Sequence, residues 1–448
     1  PFGGLPSSQA KEAFWVATTA SSALSKNIEL VSWSDQGGRP DGVQIMVHRG
    51  YAYIANIFSN GVTVMDVRDP KNPKAVNFLP AFGKNWNIHL QTHEDLLLVI
   101  DEYNFYGDPH FAHETSYYGQ SVEDSIKQAG GEHILGQRGV DYSAGMRVYD
   151  ISRPDQPRQI GQIEIDGYGF HRIWYVGGPY AYVSAQLRGF TDHIFMIVDI
   201  SNPQKPEEVS RWWLPGMHSS AGEEPTWAKG DRVALHHAIV AKDIAYGSWR
   251  DGGLTLIDVS DASRPKLLSH LNLHPPFGGG THTAVPLTDR VPAEHGGPKD
   301  YVIVADESIA DDCADQVKYN WVMDVREKTK PVPIATLPTP SEKDYCKEGG
   351  HFGPHNLHEN RPGAFQSSEL IFGTYQNAGV RVFNIRDPYH PTEVAYYVPS
   401  PSVLERWVDT RPDRPRVIHS ADVYVNPDGL MFMTDFNAGL HILELKGA

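Results

Sequence analysis

Short runs of β-branched and aromatic residues, separated by turn residues, recur along the whole chain. In residues 51–80 the runs Tyr51 to Ile57, Val62 to Val67 and Ala75 to Leu79 are separated by a Ser-Asn-Gly turn and by a segment with two prolines. β-Branched and aromatic side chains favour strands, and proline cannot donate a hydrogen bond to a sheet ladder. The pattern therefore predicts three antiparallel strands with tight turns between them.

This unit repeats with a fixed internal spacing. The second run ends on an acidic or amide residue that is followed by proline seven positions later, in six pairs: Asp66 and Pro73, Asp150 and Pro157, Asp199 and Pro206, Asp258 and Pro265, Asp324 and Pro331, Asn384 and Pro391. A seventh unit, from Leu430, lacks its last strand, and Ile28 to Trp33 is the candidate to supply it. These features predict an all-β fold, a seven-bladed β-propeller whose last blade is completed by the N-terminal strand. Closure would remove the free sheet edges that an open solenoid, the alternative, would keep.

The repeat units resemble those of the LVIVD-repeat β-propeller protein family. The resemblance rests on GVTVMDVRDP, FMIVDISNP, LTLIDVSDA and VRVFNIRDP, and on EEPTW at 223–227, PPFGGGTHTA at 275–284 and FGPHNLHENRPG at 352–363. It covers nearly the whole chain. It implies the propeller fold, and it implies no particular reaction.

The remaining segments give the expected domain organisation. We expect residues 1–26 to form an N-terminal arm, with a short helix around Ser8 to Thr18, and residues 27–448 to form one propeller domain. A long insertion at 101–143, with a short helix at Ser121 to Ala129, is rich in aromatic residues. Insertions of this length are usually functional, so we expect an ordered lid.

Composition narrows the classes of partner and compartment. The net charge of −16 and the lack of Lys/Arg runs argue against a nucleic-acid partner. No apolar run reaches the roughly 18 residues of a membrane span. The two cysteines, Cys313 and Cys346, fall in loops of one face, and we expect them to form a disulfide. A disulfide suits an exported or periplasmic protein, although a cytoplasmic location stays open.

Histidines recur near the start of the innermost strand of each unit. The chain has 21 histidines, and six of the seven units place one at this point: His89, His171, His236 or His237, His282, His355 and His419. The first unit has Asp41 or Gln44 there. Inner strands converge on the propeller axis, and neutral imidazole is the commonest metal-ligand side chain. The pattern therefore predicts a metal site on the axis. The alternative is that these histidines only hydrogen-bond neighbouring backbone.

The strand pattern also ranks the ligands. We expect the metal ligands to be His89, His171, His237, His282 and His355, with four of them sufficient. Lower-ranked ligands or supporting residues are His236, His419 and His358. Only one residue of the pair at 236 and 237 can face the axis, because side chains alternate along a strand. Counting back from the next strand favours His237, whereas aligning the following alanine favours His236. His48 and His93 are expected on the opposite face.

Carboxylates near the same face are the candidate catalytic residues. A ligating imidazole usually donates its other N–H to a carboxylate or carbonyl group. Glu102, Glu307 and Glu223 are therefore expected to act as acid/base groups or as partners of the ligands. The expected cofactor is one transition-metal ion, iron first, with manganese, copper or zinc also compatible.

These features define three function hypotheses. The sequence has no G-x-S-x-G motif and no phosphate-binding loop. The first hypothesis is an oxygenase or other oxidoreductase acting on a small aromatic or apolar molecule. By analogy, carotenoid-cleaving dioxygenases and the selenium-binding/methanethiol oxidase group are metal-dependent propellers. The second is a metal-dependent hydrolase or lyase using a metal-bound water. The third is a non-catalytic exported propeller that binds a protein partner. The oligomeric state stays open.

Overall fold

The computed structural model describes residues 23–108, 131–290, 299–409, 411 and 414–447. Antiparallel β-sheets dominate this part of the chain. The helix expected at Ser8 to Thr18 lies outside the described residues, and so does most of the expected lid, including Ser121 to Ala129, His110 and His113.

Three of the sheets have four antiparallel strands each. The first comprises Gly42–His48, Tyr51–Asn56, Gly61–Asp66 and Lys74–Pro80. The second comprises Leu370–Thr374, Val380–Asn384, Thr392–Val398 and Leu24–Lys26. The third comprises Ser420–Val425, Leu430–Asp435, Gly439–Leu445 and Ile28–Ser34.

Two larger sheets each contain two such groups of strands. The nine-stranded sheet comprises Asn85–Trp86, Leu90–His93, Leu96–Tyr103, Gly145–Asp150, Arg158–Glu164, Gly167–Trp174, Tyr180–Leu187, Ile194–Asp199 and Glu207–Trp212. The eight-stranded sheet comprises Val233–Ala241, Ile244–Arg250, Leu254–Asp258, Lys266–Leu271, Thr281–Arg290, Lys299–Asp306, Asn320–Asp324 and Val332–Thr336. One residue pair joins the groups in each case, Glu102 with Gly169 and Arg250 with Thr281. Neighbouring groups therefore approach each other beside Glu102 and beside His282.

Helical structure is sparse in the described residues. It consists of the α-helix Gly131–Gly136, which holds His133, and 3₁₀ turns at Phe105–Gly107, Ser219–Ala221, Tyr345–Lys347 and Pro401–Arg406. None of the helices in this part of the chain has the length and apolar character needed to cross a membrane.

The N-terminal strands pair with strands from the C-terminal third of the chain. Ile28–Ser34 pairs with Gly439–Leu445, as expected from the missing strand of the last repeat unit. Leu24–Lys26 pairs with Thr392–Val398, although the sequence assigned these three residues to the arm. All three are exposed, so no alternation of apolar and polar residues could have indicated this strand.

The apolar core lies between the sheets and is built mainly from their central strands. In the first sheet Tyr51–Asn56 and Gly61–Asp66 are almost entirely buried, whereas Lys74–Pro80 at the edge is half-buried or exposed. Ile54 and Val64 are fully buried. Each such side chain stabilises the fold by about 1.5–3 kcal/mol. The rows of buried central strands fix the positions of the inner strands, which carry the histidines.

A disulfide links the two cysteines, as predicted. The bond joins Cys313, in the loop before Asn320–Asp324, to Cys346, in the 3₁₀ turn Tyr345–Lys347. A backbone hydrogen bond from Asp312 to the carbonyl of Gly350 holds the same two segments together. The second segment continues to His351, so the disulfide stabilises the loop that carries this histidine.

Glycine is required where some central strands begin. At Gly379 the backbone has φ +77°, and an added Cβ would lie 2.1 Å from the carbonyl oxygen of Tyr397 on the next strand. We expect Gly379→Ala to lower the free energy of unfolding by about 2–4 kcal/mol, because backbone strain and overpacking add. Gly429→Ala is the matched control: its φ is +87° and nothing lies within 4 Å of the added atom, so only the strain of about 1 kcal/mol should appear. Equal losses in urea denaturation would contradict the steric explanation.

Candidate metal centre

Three of the histidines at the repeated position lie where their strands depart from regular pairing. The pairing register shifts between Phe170 and Ile173, between Val233 and His237, and between Thr281 and Thr283. Bulges of this kind add residues to one strand and redirect their side chains. The three irregularities bring His171, His236 and His282 to one cavity.

This cavity collects most of the predicted site residues. Its polar lining includes His89, His171, His236, His282, His355, His419 and Glu307. The lining contains two further polar residues that were not predicted from the sequence, Arg250 and His351, because neither occupies the repeated histidine position. The apolar lining is Val43, Ile57, Trp86, Ile88, Tyr106 and Phe436.

His236, and not His237, belongs to the cavity. Nδ1 of His237 accepts a hydrogen bond from Nε of Arg172 at 3.4 Å, and its ring packs 6.4 Å from that of Trp174. The ring of His236 stacks on that of His282 at 3.6 Å. The sequence-based preference for His237 is therefore corrected. The irregular pairing before His237 breaks the strict alternation on which that preference depended.

Three of the cavity histidines donate their outer N–H group to a fixed acceptor. Nδ1 of His171 donates to Glu102 Oε2 at 2.8 Å, Nδ1 of His236 to the carbonyl of His282 at 2.8 Å, and Nδ1 of His355 to the carbonyl of Ala421 at 2.6 Å. Burial lowers the pKa of all three imidazoles, so the rings are neutral. A neutral ring with its proton on Nδ1 has a lone pair on Nε2.

His89 has the opposite tautomer. Its Nδ1 lies 2.6 Å from Nη1 of Arg172, and a guanidinium group can only donate. Burial, followed by the positive charge of Arg172, holds the pKa of His89 well below its usual value. The neutral ring therefore carries its proton on Nε2 and presents an N–H group. The expectation that His89 is a metal ligand is not supported by this contact, because a protonated nitrogen cannot coordinate a cation.

The cavity contains two groups of converging side chains. His89, His171 and His236 form the histidine group, and His282, Glu307 and His355 form the glutamate group. Within each group the potential ligand atoms lie within 4.8 Å of one another. All residues of the glutamate group are buried, whereas the His171 side chain is 11% exposed.

Acceptor atoms face each other in the glutamate group. Nε2 of His355 lies 3.5 Å from Oε1 of Glu307, and Nε2 of His282 lies 3.6 Å from Oε2. Arg250 also contacts Oε2. Burial alone would raise the pKa of Glu307, but the positive charge of Arg250 holds it below its ordinary value, so the carboxylate is ionised. Oε1 of Glu307 and Nε2 of His355 are both acceptors, so no hydrogen bond joins them.

These separations fit a bound cation. Ligand atoms about 2.1 Å from one ion lie about 3.0–3.4 Å apart in octahedral or tetrahedral geometry. The observed 3.5 and 3.6 Å would need to shorten by only a few tenths of an ångström. Two neutral imidazoles and one carboxylate are also a donor set that binds transition metals. The glutamate group therefore fits a metal ion better than the histidine group does.

A chain of buried charges stands behind His171. Glu102 accepts from His171 at 2.8 Å and from Nε2 of His193 at 2.7 Å. The other nitrogen of His193 donates to Asp192, which pairs with Nε of Arg232 at 2.8 Å. Burial alone would raise the pKa of Glu102, but His171 and His193 lower it to about 2. The two carboxylates raise the pKa of His193 against the opposing effect of burial. His193 lies outside the repeated position, so no sequence pattern indicated it.

The other candidates have separate local roles. Glu223 accepts hydrogen bonds from Trp213, Gly216 and His218 within its own linker and does not line the cavity. Its expected catalytic role is therefore not supported by its position.

Both ring nitrogens of His358 bond to backbone, to the carbonyl of Phe365 and the N–H of Val425, which leaves no atom for a metal. His419 stacks on Phe436 at the edge of the cavity, 6.1 Å from the ring of His355. His48 and His93 end their strands at the turns to the next strands.

The fold and the cavity define an all-β protein built from successive antiparallel sheets around a histidine-rich site. The family model of the LVIVD repeat, a repeat associated with β-propellers, matches residues 41–77, 172–212 and 240–272. The chain therefore contains LVIVD repeats in these three regions, as its repeat units indicated. No curated protein matches the chain.

Several solved structures match most of the chain. The WD40 repeats of RRP9 match at a TM-score of 0.52 and 6% identity, over 95% of this chain and 100% of that one. A hypothetical selenium-binding protein from Sulfolobus tokodaii matches at a TM-score of 0.49 and 13% identity, over 88% of this chain and 89% of that one. The periplasmic gluconolactonase of Pseudomonas aeruginosa matches at a TM-score of 0.47 and 12% identity, over 89% of this chain and 96% of that one. At 6% identity the match to the WD40 repeats concerns the fold alone.

Proposed function

We propose that the protein is a metal-dependent enzyme whose transition-metal ion is held by His282, Glu307 and His355. The observation that carries this proposal is the set of facing acceptors, His355 Nε2 and Glu307 Oε1 at 3.5 Å. A cation between them would relieve the repulsion between the two lone pairs. We further propose that the sheets close into a seven-bladed propeller with this site on its axis and the 101–143 insertion as its lid.

The proposed reaction is the oxidation of a small aromatic or apolar molecule by dioxygen. Two histidines and one carboxylate, with further positions open, are the ligand set of many non-haem iron oxygenases. Trp86, Tyr106 and Phe436 supply an apolar wall in the same cavity, which suits an apolar substrate. An ion bound there would supply the redox chemistry. The residues around it would orient the substrate and exclude water.

Metal content tests the proposal. Wild-type protein purified without added metal should contain about one equivalent of iron or another redox-active metal. His282→Ala and Glu307→Gln should each lose most of the metal. Removing a residue that only hydrogen-bonds to a ligand lowers metal affinity by about 10- to 100-fold, and removing a ligand itself lowers it further. Elemental analysis of folded, gel-filtered protein measures this directly.

Three variants serve as controls. His237→Ala removes the neighbour of His236 on the other side of the strand, and His93→Ala removes a histidine at a strand end. His274→Ala disrupts a separate half-buried group with Asp231 and Asp251. All three should keep the wild-type metal content. No metal in the wild type, or equal loss in the control variants, would contradict the metal site. Zinc as the only metal would contradict oxidation, since zinc has no redox chemistry.

The disulfide supports a proposal about location. Disulfides persist in oxidising compartments and are rare where glutathione keeps thiols reduced. We therefore propose that the protein is exported and functions outside the cytoplasm. Localisation of the tagged, full-length gene product by cell fractionation tests this, and recovery in the cytoplasmic fraction would contradict it.

A further inference from the structure

The histidine group offers one hydrogen-bond donor and two acceptors. His171 and His236 donate their Nδ1 protons outward and keep lone pairs on Nε2. His89 accepts from Arg172 through Nδ1 and keeps its proton on Nε2. The three rings bring one ring nitrogen each to within 4.8 Å of the others. This set of atoms does not suit a cation, because Nδ1 of His89 is engaged by Arg172 and Nε2 carries a proton.

Arg172 fixes the tautomer of His89 through its contact with Nδ1. It is fully buried, and its Nη2 donates to Asn356 Oδ1 at 3.2 Å and to Glu359 Oε1 at 3.3 Å. These contacts hold the guanidinium in place, and it stays charged because arginine does not lose its proton in proteins. A proton on Nδ1 of His89 would point at this cation. Nε2 is therefore a permanent donor.

One chemical group complements this arrangement. A hydroxyl group can accept a hydrogen bond from His89 and donate its own proton to Nε2 of His171 or His236. An apolar surface lies next to the group: the rings of Trp86 and Tyr106 are 4.7 Å apart, and that of Trp86 is 6.2 Å from His171. Both aromatic residues line the same cavity as the three histidines.

We propose that the histidine group binds the hydroxyl of a small phenolic molecule whose ring packs against Trp86 and Tyr106. The role of this phenolic molecule as the substrate rests on the proposed function, because the glutamate group that would hold the metal lies in the same cavity. The binding itself needs no metal. The His171 side chain is 11% exposed. His89 is then a substrate-binding residue and not a ligand.

Calorimetric titration of chelator-treated protein tests the binding. Phenol should bind, and toluene, which has nearly the same shape but no hydroxyl, should bind at least about tenfold more weakly, because it leaves the buried donor unpaired. Equal affinity for the two probes, or no binding of phenol at saturating concentration, would overturn the proposal.

Variants of His89 separate binding from metal ligation. His89→Leu removes the donor and should lower phenol affinity by about tenfold while the metal content of the untreated protein stays at the wild-type level. His89→Gln, which keeps an N–H donor, should restore part of the affinity. His93→Leu is the control for a histidine outside the cavity and should bind phenol normally. If His89→Leu does not fold, as judged by thermal denaturation, the comparison of phenol with toluene on the wild-type protein carries the test.

The outcomes distinguish the two proposals. Loss of metal in either His89 variant would make His89 a ligand and would overturn the hydroxyl site. A wild-type protein without metal that still prefers phenol to toluene would leave the hydroxyl site intact and overturn the proposed function.

Discussion

Replacing Glu102 by glutamine is expected to lower the free energy of unfolding by about 3–5 kcal/mol. Glu102 is fully buried between His171 and His193, and it balances a positive His193. The uncharged amide would leave that imidazolium with only Asp192, which already pairs with Arg232. Removing one partner of a buried ion pair is costly because the remaining charge stays desolvated. Urea denaturation at pH 7 gives the difference.

Two comparisons distinguish this effect from general damage. The double variant Glu102→Gln with His193→Gln removes both charges and should cost less than the sum of the two single variants. Glu29→Gln, at an exposed position, should change stability by less than about 0.5 kcal/mol. Additive losses would mean that Glu102 and His193 do not stabilise each other.

The Glu102 effect should also depend on pH with a definite sign. The folded protein holds the pKa of Glu102 at about 2, below its ordinary value of 4.5. The stabilisation is therefore complete above about pH 4.5 and is lost as the pH falls toward 2. The stability difference between wild type and Glu102→Gln should shrink over this interval. A difference that stays constant down to pH 2.5 would contradict a charged Glu102.

Removing the disulfide is expected to have a comparable effect on stability. Cys313 and Cys346 are 33 residues apart, and closing a loop of this length stabilises the folded state by about 3–4 kcal/mol in the chain-entropy model. The double variant Cys313→Ser with Cys346→Ser should lose this amount in urea denaturation. The loop with His351 should become more sensitive to proteases, since the disulfide holds that segment.

The wild-type protein provides the internal control. Dithiothreitol should lower its stability to that of the double serine variant and should leave the variant itself unchanged. If the reductant has no effect on wild-type stability, or if two thiols titrate in the unreduced, denatured protein, the disulfide prediction is wrong.

Much of the fold could be predicted because it depends on local patterns. The alternation of β-branched residues and the Asp-to-Pro spacing identified the strands and turns of each unit. The incomplete last unit indicated the pairing of Ile28–Ser34 with Gly439–Leu445. Leu24–Lys26 was missed because three exposed residues carry no such pattern.

The candidate site was predictable only as a set of residue types. The repeated position indicated six of the cavity histidines, and Glu307 was selected from its place at the end of a strand. His193, Arg172 and Arg250 lie outside the repeated position, so nothing in the sequence linked them to the cavity. Their roles arise from contacts between residues that are far apart in the chain, such as Arg250 with Glu307.

By itself, the sequence determined the repeating antiparallel units, the link between the two ends of the chain and the recurrence of histidine at one position in six of the seven units, since each follows from regular spacing. Tertiary structure decided which of these imidazoles can act as ligands. The irregular pairing before His237 directs the His236 side chain to the cavity. The guanidinium of Arg172, which is far from His89 in the chain, fixes the proton of His89 on Nε2. Regular spacing along a chain determines which residue types recur at one position of each repeat. The orientation and the tautomer of each imidazole depend instead on the particular group that hydrogen-bonds to it.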